Sequence, residues 1–159
     1  MKFSQNGIDK LKAWEGCELM PYNDQTGLEI TSWCRGATIG IGHLITIDEW
    51  KSYKDGITQE QAYSLLLKDI QSTVDEVNRD ILGDINQNQF DALCILTFNI
   101  GPSPFRESSV LKWLNFNGAG ASYPSLEQSW KAWNKSQGKE MAGLVVRRQR
   151  EWELYTTPT

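Results

Sequence analysis

Histidine is almost missing from this chain of 159 residues, and cysteine is sparse. With His43 alone and no Cys-x-x-Cys spacing, no zinc-binding constellation can be assembled. Cys17, Cys34 and Cys94 make an odd number, unlike the even framework of a disulfide-stapled secreted domain. Free thiols are the expectation. Cys94 lies between Leu93 and Ile95 in an apolar helical pattern and reads as core filling, while a Cys17–Cys34 bridge would require an oxidising compartment. No run of about eighteen apolar residues occurs, so no segment is expected to cross a bilayer. The first residues, Met1 to Lys10, lack the apolar centre of a signal peptide, which leads to the expectation of a protein that accumulates in the cytoplasm. Excess positive charge is also absent. Sixteen Lys and Arg face twenty Asp and Glu, for a net charge of −4, and nothing in that balance calls for nucleic acid. Neither an internal repeat, a low-complexity tract nor a linker divides the chain, and no Ser or Cys nucleophile sits in a recognisable elbow.

What is present is a pair of carboxylates followed by a glycine-patterned hairpin: Glu15 in Ala-Trp-Glu-Gly, Asp24 nine positions on, and Thr38-Ile-Gly-Ile-Gly-His43. Glycosidic bond cleavage needs a carboxylic acid to protonate the leaving oxygen and an ionised carboxylate to act from the other face of the sugar. The two residues differ in the useful direction. Glu15 follows Leu11, Ala13 and Trp14, a partly dry setting that favours the acid form. Asp24 lies in the polar segment Tyr-Asn-Asp-Gln-Thr-Gly, where water favours the charged form.

Periodicity places these groups on elements. Ser4 can cap a first helix whose Ile8, Leu11 and Trp14 recur at helical spacing and which delivers Glu15 at its end. Leu19 to Ile47 carries the alternation and turn signals of short antiparallel strands, the only sheet expected. Thr58-Gln-Glu-Gln61 is a capping-box start for a long helix, about 58–80, that reaches Arg79. From Asn86 onward the chain reads as helical throughout. Phe90, Leu93, Cys94, Thr97 and Phe98 form one stripe, and the helix that carries it ends at Gly101-Pro102. Seven tryptophans are core by default, but Trp33 is flanked by polar residues and offers a platform for a sugar face. His43 is read as structural, paired with Asp69, which lies within the long helix's apolar stripe.

Lys12-Ala-Trp-Glu15-Gly-Cys-Glu-Leu-Met-Pro-Tyr22-Asn-Asp24 with Ala37-Thr38-Ile-Gly-Ile-Gly-His43-Leu resembles the signature of the phage-type lysozymes, the muramidase endolysins. Asn86 to Gly101, Ser108 to Asn115 and Gly143 to Tyr155 fit the same family, in order, over nearly the whole chain. The resemblance implies a mainly helical α+β fold forming a single lysozyme-like domain over residues 1–159. Its lobes would cover roughly 15–57 and 81–159 plus the N-terminal helix. It also implies hydrolysis of the β-linkage between N-acetylmuramic acid and N-acetylglucosamine in peptidoglycan, by a monomer without metal or organic cofactor. Glu15 would be the general acid, Asp24 the carboxylate acting on water, with inversion favoured and retention the alternative, and Thr38 the hydroxyl that helps hold that water.

By the same family pattern Arg147 approaches the catalytic Glu, and Gly42, Leu44, Phe98 and Asn99 face the saccharide. One departure stands out: residues 28–37 lengthen a loop that is usually shorter, and Thr26 and Thr31 within this region also carry hydroxyls. A lytic transglycosylase and a non-catalytic wall-binding module are the alternative readings. The resemblance further implies release to the wall, by a phage holin or by a secretion machine; in the second setting a dedicated immunity protein would be a partner.

Overall fold

Ser4 opens the first helix, α1 (Gln5–Glu15), its Oγ accepting the Gly7 N–H at 3.1 Å. The computed structural model describes residues 1–159. They divide into two compact units, 9–71 in one and 1–8 with 72–159 in the other.

In the unit 9–71, β1 (Glu18–Asn23), β2 (Ala37–Gly40) and β3 (His43–Leu44) form an antiparallel sheet in sequence order. Tyr22 lies opposite Thr38, and Thr38 opposite Leu44. Between Glu18 and Tyr22 the register shifts, so β1 bulges before it reaches the Asn23-Asp24 turn. Ala37, Ile39 and Ile45 form a buried cluster against which Ile30, Trp50, Tyr53 and Ile57 pack. Burial of each of the two isoleucines contributes about 1.5–3 kcal/mol before chain entropy is set against it. The short α2 (Trp50–Tyr53) follows. The helix α3 (Gln59–Asp80) starts at the capping box foreseen in the sequence: Gln61 N–H donates to Thr58 Oγ1 at 3.1 Å, and Thr58 N–H to Gln61 Oε1 at 2.8 Å. Its residues 59–71 belong to this unit and 72–80 to the other.

The other unit is built around α4 (Gln87–Ile100), capped by Asn86 and packed on α8 (Ala142–Thr156). Residues 90–97 of α4 are buried without a break. Phe90, Leu93, Cys94 and Thr97 of the expected stripe are buried, Phe98 only half-buried, and burial extends to the residues between them, so this helix is surrounded. Asp91, buried in α4, accepts both the Ser4 backbone N–H, at 3.1 Å, and the Ser4 hydroxyl. The helices α5 (Pro102–Glu107), α6 (Ser109–Phe116) and α7 (Leu126–Lys131) complete the helical part. A correction concerns the sheet content, since β4 (Lys135–Ser136) and β5 (Lys139–Glu140) form an antiparallel hairpin inside the region read as wholly helical. All four of its residues are exposed and polar, so no hydrophobic alternation marked it. No helix is long and apolar enough to cross a membrane.

Candidate active site

Glu15 is the last residue of α1 and is half-buried. Asp24 follows β1 directly and is exposed. Thr38 stands in β2 at 3% exposure. These three, with Trp33, Gly42, His43, Leu44 and Asp69, belong to the unit 9–71; Phe98, Asn99 and Arg147 belong to the other.

Asp24 and Thr38 are tied to one atom. The Gly36 carbonyl accepts the Asp24 backbone N–H at 3.0 Å and the Thr38 hydroxyl at 2.9 Å. The loop between them is held as firmly. Asn23 N–H donates to Leu28 O at 2.9 Å and Ile30 N–H to Pro21 O at 3.1 Å, with Tyr22 bridged to Glu29. Asn23 also donates from Nδ2 to Cys34 Sγ at 3.6 Å. Trp33 is 37% exposed and its indole N–H reaches the Ile45 carbonyl at 2.8 Å, so the ring is fixed along one edge and partly open to solvent. Leu44 is 61% exposed, and Gly42 is exposed as well.

Sequence reasoning passed over Tyr22. Burial first, then the charges of Glu15, Glu18 and Asp24 and the Cys17 thiol, raise its phenol above the ordinary value, so it stays protonated among carboxylates. The available signal was strand alternation, which puts Tyr22 and Asp24 on the same side of the chain. The three cysteines are free thiols. Cys17 and Cys34 are half-buried, and burial, followed by the Asp91 charge, pushes Cys94 far above the range in which a thiolate forms.

His43 has carboxylates on both sides. Its Nδ1 stands 2.7 Å from Asp69 Oδ2 and its Nε2 3.0 Å from Glu49 Oε2, a second partner that sequence reasoning did not name. Only the imidazolium can donate to both. The Asp69 hydrogen bond, opposed by desolvation and helped by Glu49, raises the His43 pKa above 6.5. Glu49 is lowered below 4.5: desolvation raises it, but hydrogen bonds from His43 and Thr46 together outweigh that.

The signs follow by linkage. The raised histidine stabilises fully below its unfolded value and loses that contribution as pH climbs through its folded one; the lowered Glu49 stabilises above its unfolded value and fades as pH falls through its folded one. Both act together between about pH 4.5 and 6.5. His43→Asn is therefore expected to destabilise the protein most in that window, by about 1.5–3 kcal/mol, the typical worth of a hydrogen bond to a charged group. The loss should shrink as pH rises above neutrality. Thermal unfolding of both proteins across pH checks this, and a difference that grows toward alkaline pH would overturn it.

In the other unit, Glu151 is fully buried and accepts from Arg148 Nη1 at 2.5 and 2.7 Å, from Arg147 Nε at 3.0 Å and from Trp130 Nε1 at 3.1 Å. Arg148 also donates from Nε to the Trp133 carbonyl at 2.7 Å, and from Nη2 to Asn99 Oδ1. Asn99, exposed near the end of α4, is thus fixed with its amide oxygen turned to the arginine and its NH2 left for other acceptors. Sequence reasoning gave Arg148 and Glu151 no role at the site.

Comparison with known proteins places these features in a family. The phage lysozyme family model matches residues 12–151. The endolysin of Salmonella phage P22 is 38% identical over 157 residues, covering 98% of both chains. The endolysin of Bacillus phage PZA is 37% identical over 162 residues; it spans all of this chain, which in turn covers 57% of that longer protein. Among solved structures, the muramidase domain of SpmX from Asticaccaulis excentricus superposes with a TM-score of 0.77 at 30% identity, covering 99% of each chain.

Proposed function

The chain belongs to the phage lysozyme family and is a glycoside hydrolase, and from that premise we propose that it is a muramidase hydrolysing the β-linkage between N-acetylmuramic acid and N-acetylglucosamine in peptidoglycan. Glu15 acts as the general acid on the glycosidic oxygen. Asp24 takes the proton of a water that attacks the anomeric carbon from the opposite face, and the configuration inverts. Thr38 holds the same water.

The observation that carries this assignment is the shared anchorage of Asp24 and Thr38 on the Gly36 carbonyl. Because the Thr38 hydroxyl spends its proton there, its oxygen faces the water as an acceptor. A water that donates one proton to Thr38 and the other to Asp24 has its lone pairs turned outward, which is the orientation a nucleophile needs. Trp33, Gly42, Leu44, Phe98 and Asn99 contact the saccharide, with Trp33 and Leu44 supplying apolar surface and Asn99 an amide donor. His43 with Asp69 and Glu49 fixes the β3 end of the sheet.

The two units are the lobes of one lysozyme-like domain that works as a monomer, made in the cytoplasm and brought to the wall by a holin or a secretion route. In the latter setting an immunity protein covers the site. Mass spectrometry of muropeptides released from purified peptidoglycan tests the reaction. Hydrated reducing-end muramic acid, lost in Glu15→Gln, is the expected result. Anhydro products with an active Asp24→Asn would instead mark a transglycosylase, and no released products would point to a binding role.

A further inference from the structure

Residue 36 lies in the lengthened loop, and its backbone is unusual: φ is +93°, the left-handed region that glycine tolerates best. The space around it is occupied. A Cβ at this position would stand 2.5 Å from Asp24 Oδ1, 3.4 Å from Asp24 Cγ and 3.5 Å from Asn23 Oδ1. The same residue's carbonyl takes the Asp24 N–H and the Thr38 hydroxyl, which fills both of its lone pairs. Its neighbourhood is pinned as well, since Ala37 N–H donates to Cys34 O at 3.1 Å and the Cys34 sulfur accepts from Asn23.

We infer that Gly36 is a positioning residue for the hydrolytic water. Its missing side chain leaves the space in which the Asp24 carboxylate rests, and its carbonyl fixes both the Asp24 backbone and the sense of the Thr38 hydrogen bond. The inserted loop is then a clamp that presets the two water-holding groups before substrate arrives. This rests on the assignment of Asp24 and Thr38 made above. Gly36 touches neither substrate nor water; it acts through those two.

Gly27 provides the matched control. It lies in the same loop with φ +72°, and a Cβ there meets nothing within 4 Å. An alanine at either position meets a positive φ, but only at 36 does it also collide with Asp24. Steady-state hydrolysis of soluble peptidoglycan fragments is measured for the native chain, Gly36→Ala, Gly27→Ala, Asp24→Asn and the Asp24→Asn/Gly36→Ala pair. In Gly36→Ala, kcat is expected to fall about 100-fold, the scale of a misplacement of about 1 Å at a reacting group, with KM changed by less than about threefold. Gly27→Ala should keep kcat within about threefold of native. In the Asp24→Asn background, Gly36→Ala should lower kcat no further, because its effect runs through that carboxylate.

Melting temperature supplies an independent reading. Gly36→Ala should fall below Gly27→Ala, and Asp24→Ala should restore most of that difference by removing the colliding group, even if Gly36→Ala alone folds poorly. An Asp24→Asn variant with native kcat would overturn the water assignment and the role of Gly36 with it. An inactive Asp24→Asn beside a Gly36→Ala that matches Gly27→Ala in kcat and melting temperature would overturn the role of Gly36 alone, as would full additivity in the double variant.

Discussion

Glu15→Gln is expected to lower kcat by about 10³-fold, inside the 10²–10⁴ range that a positioned general acid supplies, with little change in KM or melting temperature. The amide has the same shape as the acid, and at the end of α1 it occupies the same half-buried space. What it cannot do is give up a proton to the departing glycosidic oxygen. Three decades of rate correspond to about 4 kcal/mol of barrier, more than packing or a surface charge at this position would explain. Asp24→Asn separates the two mechanisms that share such an acid. With water as nucleophile, losing the base slows the reaction by a comparable factor; in a transglycosylase the sugar's own hydroxyl closes the ring and Asp24 is dispensable. Rates of muropeptide release beside melting curves give both numbers. Activity of Glu15→Gln within about tenfold of native would remove the residue from the acid's role.

The second large effect is on stability. Glu151→Ala is expected to destabilise the chain by about 3–5 kcal/mol, the usual cost of breaking a buried ion pair from one side. Glu151 accepts from two arginines and an indole N–H, and it is fully buried. Removing it takes the carboxylate from Arg148, whose side chain is 1% exposed, and from Arg147 Nε. For a chain of this size that loss corresponds to a melting temperature lower by roughly 6–20 °C. Glu151→Gln keeps the volume and one acceptor oxygen and should fall between the alanine variant and native. Activity should suffer as well, because Arg148 orients Asn99. Thermal unfolding decides the matter: a loss under about 1 kcal/mol would place the cluster among weak surface pairs.

Local instructions were legible wherever the physics is local. The Ser4 cap and the Thr58–Gln61 capping box each involve atoms within about three residues, and each forms as its sequence suggests. The pairing of His43 with Asp69 was within reach because His43 is the lone histidine and Asp69 falls within the apolar stripe of the long helix. Other features escaped. The exposed Lys135–Glu140 hairpin carries no alternating apolar residues, and Gly138 alone does not distinguish a hairpin from a loop between helices. The all-round burial of α4 depends on how many elements surround it, which its own periodicity does not report.

By itself, then, the sequence determined the family, the mainly helical α+β class and the ends of the main helices, and it nominated Glu15 and Asp24 for the proposed acid and base chemistry. Motif identity and capping are properties of short windows, and the Glu15, Asp24 and Thr38 pattern is read in order along the chain. Tertiary structure decided what those residues lean on. That the Gly36 carbonyl receives both Asp24 and Thr38, that Glu49 joins Asp69 on His43, and that Glu151 collects Arg147, Arg148 and Trp130 are consequences of register and packing. A one-residue shift of a strand or a third of a turn of a helix would leave the sequence motifs intact and separate every one of those groups.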